Sequence, residues 1–314
     1  MPTLYLSHPA CLKHITGPGH PERPDRLRAI EKALEAPAFA KLHRQEAPLA
    51  DLKTIELVHP AAHIEAIRAA EPATPEAGRN LVDSDTQMSH GSFEAALRSA
   101  GAAIEAVDQV MGGKAANAFC ATRPPGHHAS AETAEGFCLF SNAAIAAKHA
   151  RAAHGAERVA VIDFDVHHGN GTQAVFWGEK DLFYASTHQM PLYPGTGAVK
   201  ETGAFNNVCN APLRAGDGKD AFRDAFGSRI FPALRNFGFD LVIISAGFDA
   251  HKDDPLGGLN LTEDDFAWVT HKLVDMVVSR CQGRVVSLLE GGYDLGGLSR
   301  SVAAHLGVLM DAAA

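Results

Sequence analysis

Five short stretches of the chain are almost continuously apolar: AFCAT (118–122), RVAVIDFDV (158–166), DLFYAST (181–187), DLVIISAGF (240–248) and RVVSLLE (284–290). A strand that alternates apolar with polar residues can leave one face to water, but a continuous apolar strand has to be covered on both. Between these runs lie stretches with apolar residues at helical spacing. One starts near Pro24 (DRLRAIEKAL), and others span 92–111, 142–154, 217–236 and 263–280. Buried strands alternating with helices predict a three-layer α/β/α fold around a central, mostly parallel sheet. A chain of 314 residues, 46% of them apolar, can bury one sizeable core. The break at EPATPEAG (71–78) is too short to separate domains, so residues 1–314 read as a single domain.

Composition excludes several classes of function. No apolar run approaches the roughly 18 residues of a membrane span. With 28 Lys+Arg against 37 Asp+Glu, the formal charge of 28 − 37 = −9 disfavours binding to nucleic-acid phosphates. The five cysteines (Cys11, Cys120, Cys138, Cys209, Cys281) form no C-x-x-C pair and are odd in number. That is no disulfide framework, and with an opening MPTLYLSHP that lacks a secretory pattern it predicts a cytoplasmic protein. Seventeen histidines stand out and direct attention to metal or proton-transfer chemistry.

Four of the strands run, at their carboxyl ends, into polar clusters: RPPGHHA, DFDVHHGNGT, GFDAHKDDPLGG and GGYDL. Open parallel sheets bind ligands at that rim, so four such clusters should converge. In VIDFDVHHGNG, strand alternation puts Asp163, Asp165 and His167 on one face. The segment upstream is apolar on both faces, so these groups sit at the end of a buried strand and need a compensating charge. A divalent metal supplies it, and oxygen plus imidazole ligands suit zinc or ferrous iron. Asp249 is the expected third ligand, although an aspartate after a strand is by itself often a turn residue; Asp253 and Asp254 are assigned to that turn role. Three protein ligands leave an open position, as in a catalytic rather than a structural zinc site.

His127 and His128, constrained after Pro124-Pro125-Gly126, are expected to act as general base and acid beside the metal. Each needs a partner on its other nitrogen, with Asp163 orienting His127 and Asn170 orienting His128. An amide in place of a carboxylate makes His128 the less basic of the two. Tyr293, flanked by Gly291 and Gly292, is expected to donate to a developing oxyanion rather than simply pack beneath a loop.

These stretches, with HPERPDRL (20–27), GFCLFSN (136–142) and PLYPGTG (191–197), resemble the histone deacetylase superfamily and its arginase/deacetylase fold, along almost the entire chain and in the same order. RPPGHH, the NGT after the second His pair and EGGY resemble the class II branch and its bacterial amidohydrolase relatives. The resemblance implies zinc at Asp165, His167 and Asp249, with His128 as general base and acid and His127 as its electrostatic partner. It implies Tyr293 as oxyanion donor. It also implies a substrate tunnel formed by Gly136, Phe137, Tyr193, Leu256 and Gly291. Two potassium sites are implied as well. One uses backbone carbonyls of Asp163, Asp165, His167 and Thr187 with the Ser186 hydroxyl, and the other uses Phe176, Glu179, Leu182 and Asn207. Self-association into a homo-oligomer is a further implication.

The expected activity is therefore zinc-dependent hydrolysis of N-acyl amides, first of all acetyl-lysine side chains of proteins or peptides. Leu256 stands where a polyamine-preferring relative carries Glu, which favours acetyl-lysine or small apolar amides over acetylpolyamines. Acetylpolyamine or small-amide hydrolysis is the alternative on the same site. A two-metal ureohydrolase of the arginase type and a non-catalytic acyl-lysine-binding protein are the rivals.

Overall fold

A computed structural model describes residues 1–313. The strands, in chain order, are β1 (Thr3–Ser7), β2 (His43–Glu46), β3 (Arg79–Leu81), β4 (Gln87–Ser89), β5 (Asn117–Cys120), β6 (Val159–Asp163), β7 (Leu182–Gln189), β8 (Val208–Leu213), β9 (Leu241–Ala246) and β10 (Val285–Leu289). Eight of them form one sheet in the order β2-β1-β5-β10-β9-β6-β7-β8, and every pairing in it is parallel. The other two, β3 and β4, form a small antiparallel pair. Side-chain alternation divides the interior into two layers. Ala160, Ile162, Val242 and Ile244 pack into one cluster, whereas Val159, Val161, Leu241 and Ile243 pack into the other. Helices cover both faces, which gives the expected three-layer α/β architecture. No described helix is long and apolar enough to cross a membrane, and all five cysteines are free.

The helices Ser92–Met111 and Asn142–His154 fall where their periodicity predicts them. Glu263–Cys281 starts at a capping box formed by Thr262 and Asp265. The stretch expected as one helix over 217–236 is instead interrupted: Lys219–Ala225 passes through a π turn at Phe226–Ile230 into Phe231–Phe237. Three sheet strands were not expected. β2 (HRQE) is an edge strand with no apolar residue, and β8 (VCNAPL) carries Pro212, a residue that edge strands tolerate. The third, β1, is only five residues long. A second departure bears on the site. Strand β6 ends at Asp163, so Asp165 and His167 belong to the turn that follows and not to one strand face.

A buried ion network ties the carboxyl-end loops together. Arg123, in the loop after β5, donates to both Glu22 carboxylate oxygens, through Nη2 at 2.6 Å and through Nε, and to the carbonyls of Cys11 and His14. Arg26, on the helix Asp25–Ala33, donates to Glu22 Oε1 at 3.1 Å and to the Gly292 carbonyl at 2.6 Å. All three side chains are fully buried. Glu22 therefore links the loop after β5 to the loop after β10. Burial alone would raise its pKa, but Arg123 and Arg26 hold it at about 2.

Glu22→Gln leaves two buried guanidinium groups without their anion and is expected to cost about 3–5 kcal/mol in urea unfolding. Because the folded pKa is depressed, the stabilisation from Glu22 is complete above the pKa of an unfolded glutamate. It is lost as pH falls through about 2, and the mutant should lack that acid-sensitive component.

Candidate active site

Parallel strands bring the turns after β5, β6, β9 and β10 to one rim. There Asp165, His167 and Asp249 place ligand atoms within 4.8 Å of one another, all three buried. His167 Nδ1 lies 3.1 Å from Asp165 Oδ1 and 3.1 Å from Asp249 Oδ2. The remaining carboxylate oxygens are held by backbone amides: Gly291 N–H donates to Asp165 Oδ2 at 2.8 Å and Val166 N–H to Asp249 Oδ1 at 2.8 Å. Glycine is required on both sides of this cluster. A Cβ on Gly247 would fall 2.0 Å from Asp165 Oδ2, and one on Gly291 would fall 2.1 Å from Asp249 Oδ2. Burial lowers the pKa of His167, but its contacts with Asp165 and Asp249 overcome this and lift it to about 10. Burial, with Asp165 adding to it, pushes Asp249 up to about 7. Two carboxylates and one imidazole, with their outer oxygens already fixed, fit a divalent ion of the zinc type and leave it an open position.

A second group, Asp108 with His149 and His154, also has metal-ligand geometry. It is half-exposed, and both imidazoles already meet the same oxygen, Asp108 Oδ1, at 2.7 and 2.6 Å. No buried charge there demands an ion.

His127 and His128 lie against one another at the rim, their rings tilted by 46° with centroids 4.0 Å apart, and they face different partners. His127 Nδ1 lies 3.0 Å from Asp163 Oδ2, which also accepts from the Tyr184 hydroxyl at 3.0 Å. Burial opposes charge on His127, but Asp163 and Asp165 hold its pKa well above the usual value. His128 Nδ1 lies 2.8 Å from Asn170 Oδ1. The amide orientation follows from its other end, because Asn170 Nδ2 donates to Glu135 Oε1 at 2.6 Å and Glu135 can only accept. His128 therefore carries its proton on Nδ1 and presents Nε2 as a free base. Burial lowers its pKa well below the ordinary value, and the cationic neighbours His127 and His167 add to that. One imidazole is thus held charged and the other neutral, in the direction expected from the Asp/Asn difference.

A cavity of about 280 Å³ opens onto these groups, lined by Asp85, His128, Gly136, Phe137, His167, Leu192, Tyr193, Leu256 and Tyr293. The Tyr193 ring stands edge-on to His128 at 5.0 Å, and the Phe137 ring edge-on to Tyr293 at 6.1 Å. Phe137 adopts φ +69°, a conformation rare for a bulky residue, and its N–H is held by Thr86 Oγ1 at 3.0 Å. Gly136, at φ +56°, passes against His128; a Cβ there would fall 2.5 Å from the imidazole. Of the five residues expected to form the tunnel, Gly291 alone is not on the cavity wall. It packs instead against the carboxylates of Asp165 and Asp249. A larger groove of about 630 Å³, lined in part by Tyr5, His8, Glu31 and Arg44, contains none of the convergent groups.

Several contributors were not expected from sequence. Glu290 accepts from the N–H groups of Gly126 and His127 and from Ser245 Oγ, and burial pushes its pKa to about 7. Asp254, expected to serve only its own turn, reaches across to accept from Tyr293 N–H at 2.6 Å and Asp294 N–H at 3.1 Å. Arg26 lies over the Tyr293 ring at 5.0 Å. Glu135, Tyr184, Asp85 and Leu192 complete the set. The signal for Glu290 and Asp254 was present as acidic residues beside glycine-rich turns, but nothing local distinguishes them from solvated caps.

Comparison with known proteins is consistent along the whole chain. The model of the histone deacetylase domain matches residues 20–309. Histone deacetylase 10, chloroplastic, of Oryza sativa is 40% identical, covering 96% of this chain and 71% of that protein. The histone deacetylase-like amidohydrolase of Pseudomonas aeruginosa is 37% identical, covering 93% and 81%. The crystal structure of the HDA15 HD domain superposes with a TM-score of 0.92 at 35% identity, covering 99% of this chain and 88% of that one. Matched in sequence and in fold from end to end, the chain belongs to the histone deacetylase family of deacetylases and amidohydrolases.

Proposed function

We propose that this family member is a zinc-dependent deacylase that hydrolyses N-acyl amides, with acetyl-lysine side chains of proteins or peptides as its first substrate class. The observation that carries the reading is the neutral His128, its Nε2 left as a base, on the wall of a narrow cavity that also holds His167 and Tyr293. Asp165, His167 and Asp249 would hold the zinc, or ferrous iron in its place. When bound there, the ion supplies Lewis acidity, polarising the amide carbonyl and lowering the pKa of a water.

The chain's own groups do the rest. His128 takes the water proton on Nε2 while Asn170 keeps the opposite nitrogen protonated, and it later returns a proton to the leaving amine. His127 stays cationic between Asp163 and the rim and stabilises negative charge as it develops. The Tyr293 hydroxyl donates to the oxyanion, with its backbone fixed by Asp254 and its ring by Arg26. Phe137 and Tyr193 wall the apolar stem of the acyl-lysine, and Leu256 adds no charge that would recruit a second ammonium group. A potassium ion is proposed at the carbonyls of Asp163, Asp165, His167 and Thr187 with Ser186.

Four outcomes test this reading. Tyr293→Phe should lower kcat on a fluorogenic acetyl-lysine peptide by about 10²–10³-fold, and unchanged turnover removes Tyr293 from the reaction. His128→Ala should abolish turnover while elemental analysis still finds one transition-metal ion per chain; two ions would favour the ureohydrolase rival. Asn170→Asp adds negative charge beside His128 and raises its pKa, so the acid limb of kcat/KM should move to higher pH. In a substrate panel, acetyl-lysine peptides should exceed acetylpolyamines in kcat/KM; the reverse order would assign the site to polyamines.

A further inference from the structure

The loop between the helix Asn170–Phe176 and strand β7 turns three main-chain carbonyls toward one point. The point is filled by a side chain: Asn207 Nδ2 lies 2.8 Å from the Phe176 oxygen, 3.1 Å from that of Glu179 and 2.9 Å from that of Leu182. Asn207 is 2% exposed, so no bulk water shares the work. Its amide cannot be reversed, because Phe205 N–H donates to Oδ1 at 3.3 Å and three carbonyls would repel an oxygen in the nitrogen's place. The loop is shaped to admit this group. Gly203, at φ +74°, leaves the space where a Cβ would meet Asn207 Oδ1 at 2.4 Å.

An amide nitrogen has two protons, and here three acceptors converge on it. Carbonyl dipoles aimed inward at one point from a rigid turn are the arrangement by which proteins replace the hydration shell of potassium. The same residues are those that family resemblance marks for a second potassium site, in which position 207 would contribute its backbone carbonyl. Here position 207 instead sends its side-chain amide into the cage, while its carbonyl accepts from Tyr184 N–H at 3.0 Å. With an N–H donor already seated among the three oxygens, the cage has no room for a cation. The residues present therefore do not fit the ion.

We propose that Asn207 is a tethered substitute for a monovalent cation: its amide permanently occupies the carbonyl cage, and this chain binds no potassium there. The device spares the loop any dependence on salt identity. That loop leads from the helix bearing Asn170 into the strand bearing Ser186 and Thr187, so the order of the rim on this side is built in covalently.

The test uses the full-length protein and Asn207→Ala. Crystals of each soaked in thallium or rubidium chloride are examined for anomalous scattering at the cage. Thermal unfolding midpoints are compared across potassium chloride concentrations, with tetramethylammonium chloride holding ionic strength constant. The expected result is no peak at the wild-type cage and a peak in the variant. The variant should also be destabilised without potassium and gain about 2 °C per tenfold of potassium beyond any rise in wild type. A wild-type peak within the cage, with Asn207 turned aside, overturns the proposal. So does a variant whose midpoint responds to potassium no more than wild type. If Asn207→Ala fails to fold, the wild-type anomalous map decides alone. Neither readout depends on catalysis, so failure here and failure of the deacylase reading are distinguishable.

Discussion

Asp163, Asp165, Asp249 and Glu290 are all withdrawn from water at one rim of the sheet, with relative exposures of 0–1%. So much negative charge in a dry interior is tolerable only if every oxygen has a donor or a counter-charge. The rest of the rim follows from that requirement. Backbone amides of Gly126, His127, Val166 and Gly291 point inward at carboxylates, and His127 is held as a cation between two of them. The glycines at 247 and 291 exist because the main chain must approach these oxygens more closely than a Cβ allows. A divalent ion held between Asp165, His167 and Asp249 would complete the balance.

The imidazole pair shows how one local difference separates two chemically identical groups. Both are buried and nearly in contact. One faces a carboxylate and the other an amide that is itself pinned by Glu135. The outcome is a fixed positive charge beside a free base, which is the division of labour that amide hydrolysis needs. The arrangement holds only if the amide cannot rotate, so in the proposed reaction Glu135 would act as a positioning residue although it does not line the cavity.

Much of this was legible in the sequence because the buried central strands announce themselves. Strands β5, β6, β7, β9 and β10 are apolar on both faces, and their carboxyl ends must meet wherever the sheet is parallel. What was not legible was whatever lacks a local pattern. The edge strands β2 and β8 need no apolar run, and the helix Leu295–Ala313 opens on a Gly-Gly pair that masks its periodicity. Alternation along β6 pointed to Asp165 and His167 for an incomplete reason, because the strand has already ended there and the two residues converge through a turn. The long-range partners of the rim, Glu22 with Arg123 and Asp254 with Tyr293, join segments about 100 and 39 residues apart. No spacing rule connects them.

The two margins of the sheet end in different ways. His43–Glu46 lines one border with four hydrophilic side chains, so a foreign strand docking there would have to strip water from charged groups and gain no apolar cover. At the opposite border Pro212 removes a main-chain donor near the carboxyl end of β8, which shortens any ladder a neighbour might build. A sheet with six more strands between these borders is thereby closed to lateral growth, and polymerisation through its margins is disfavoured without any element having to cap them.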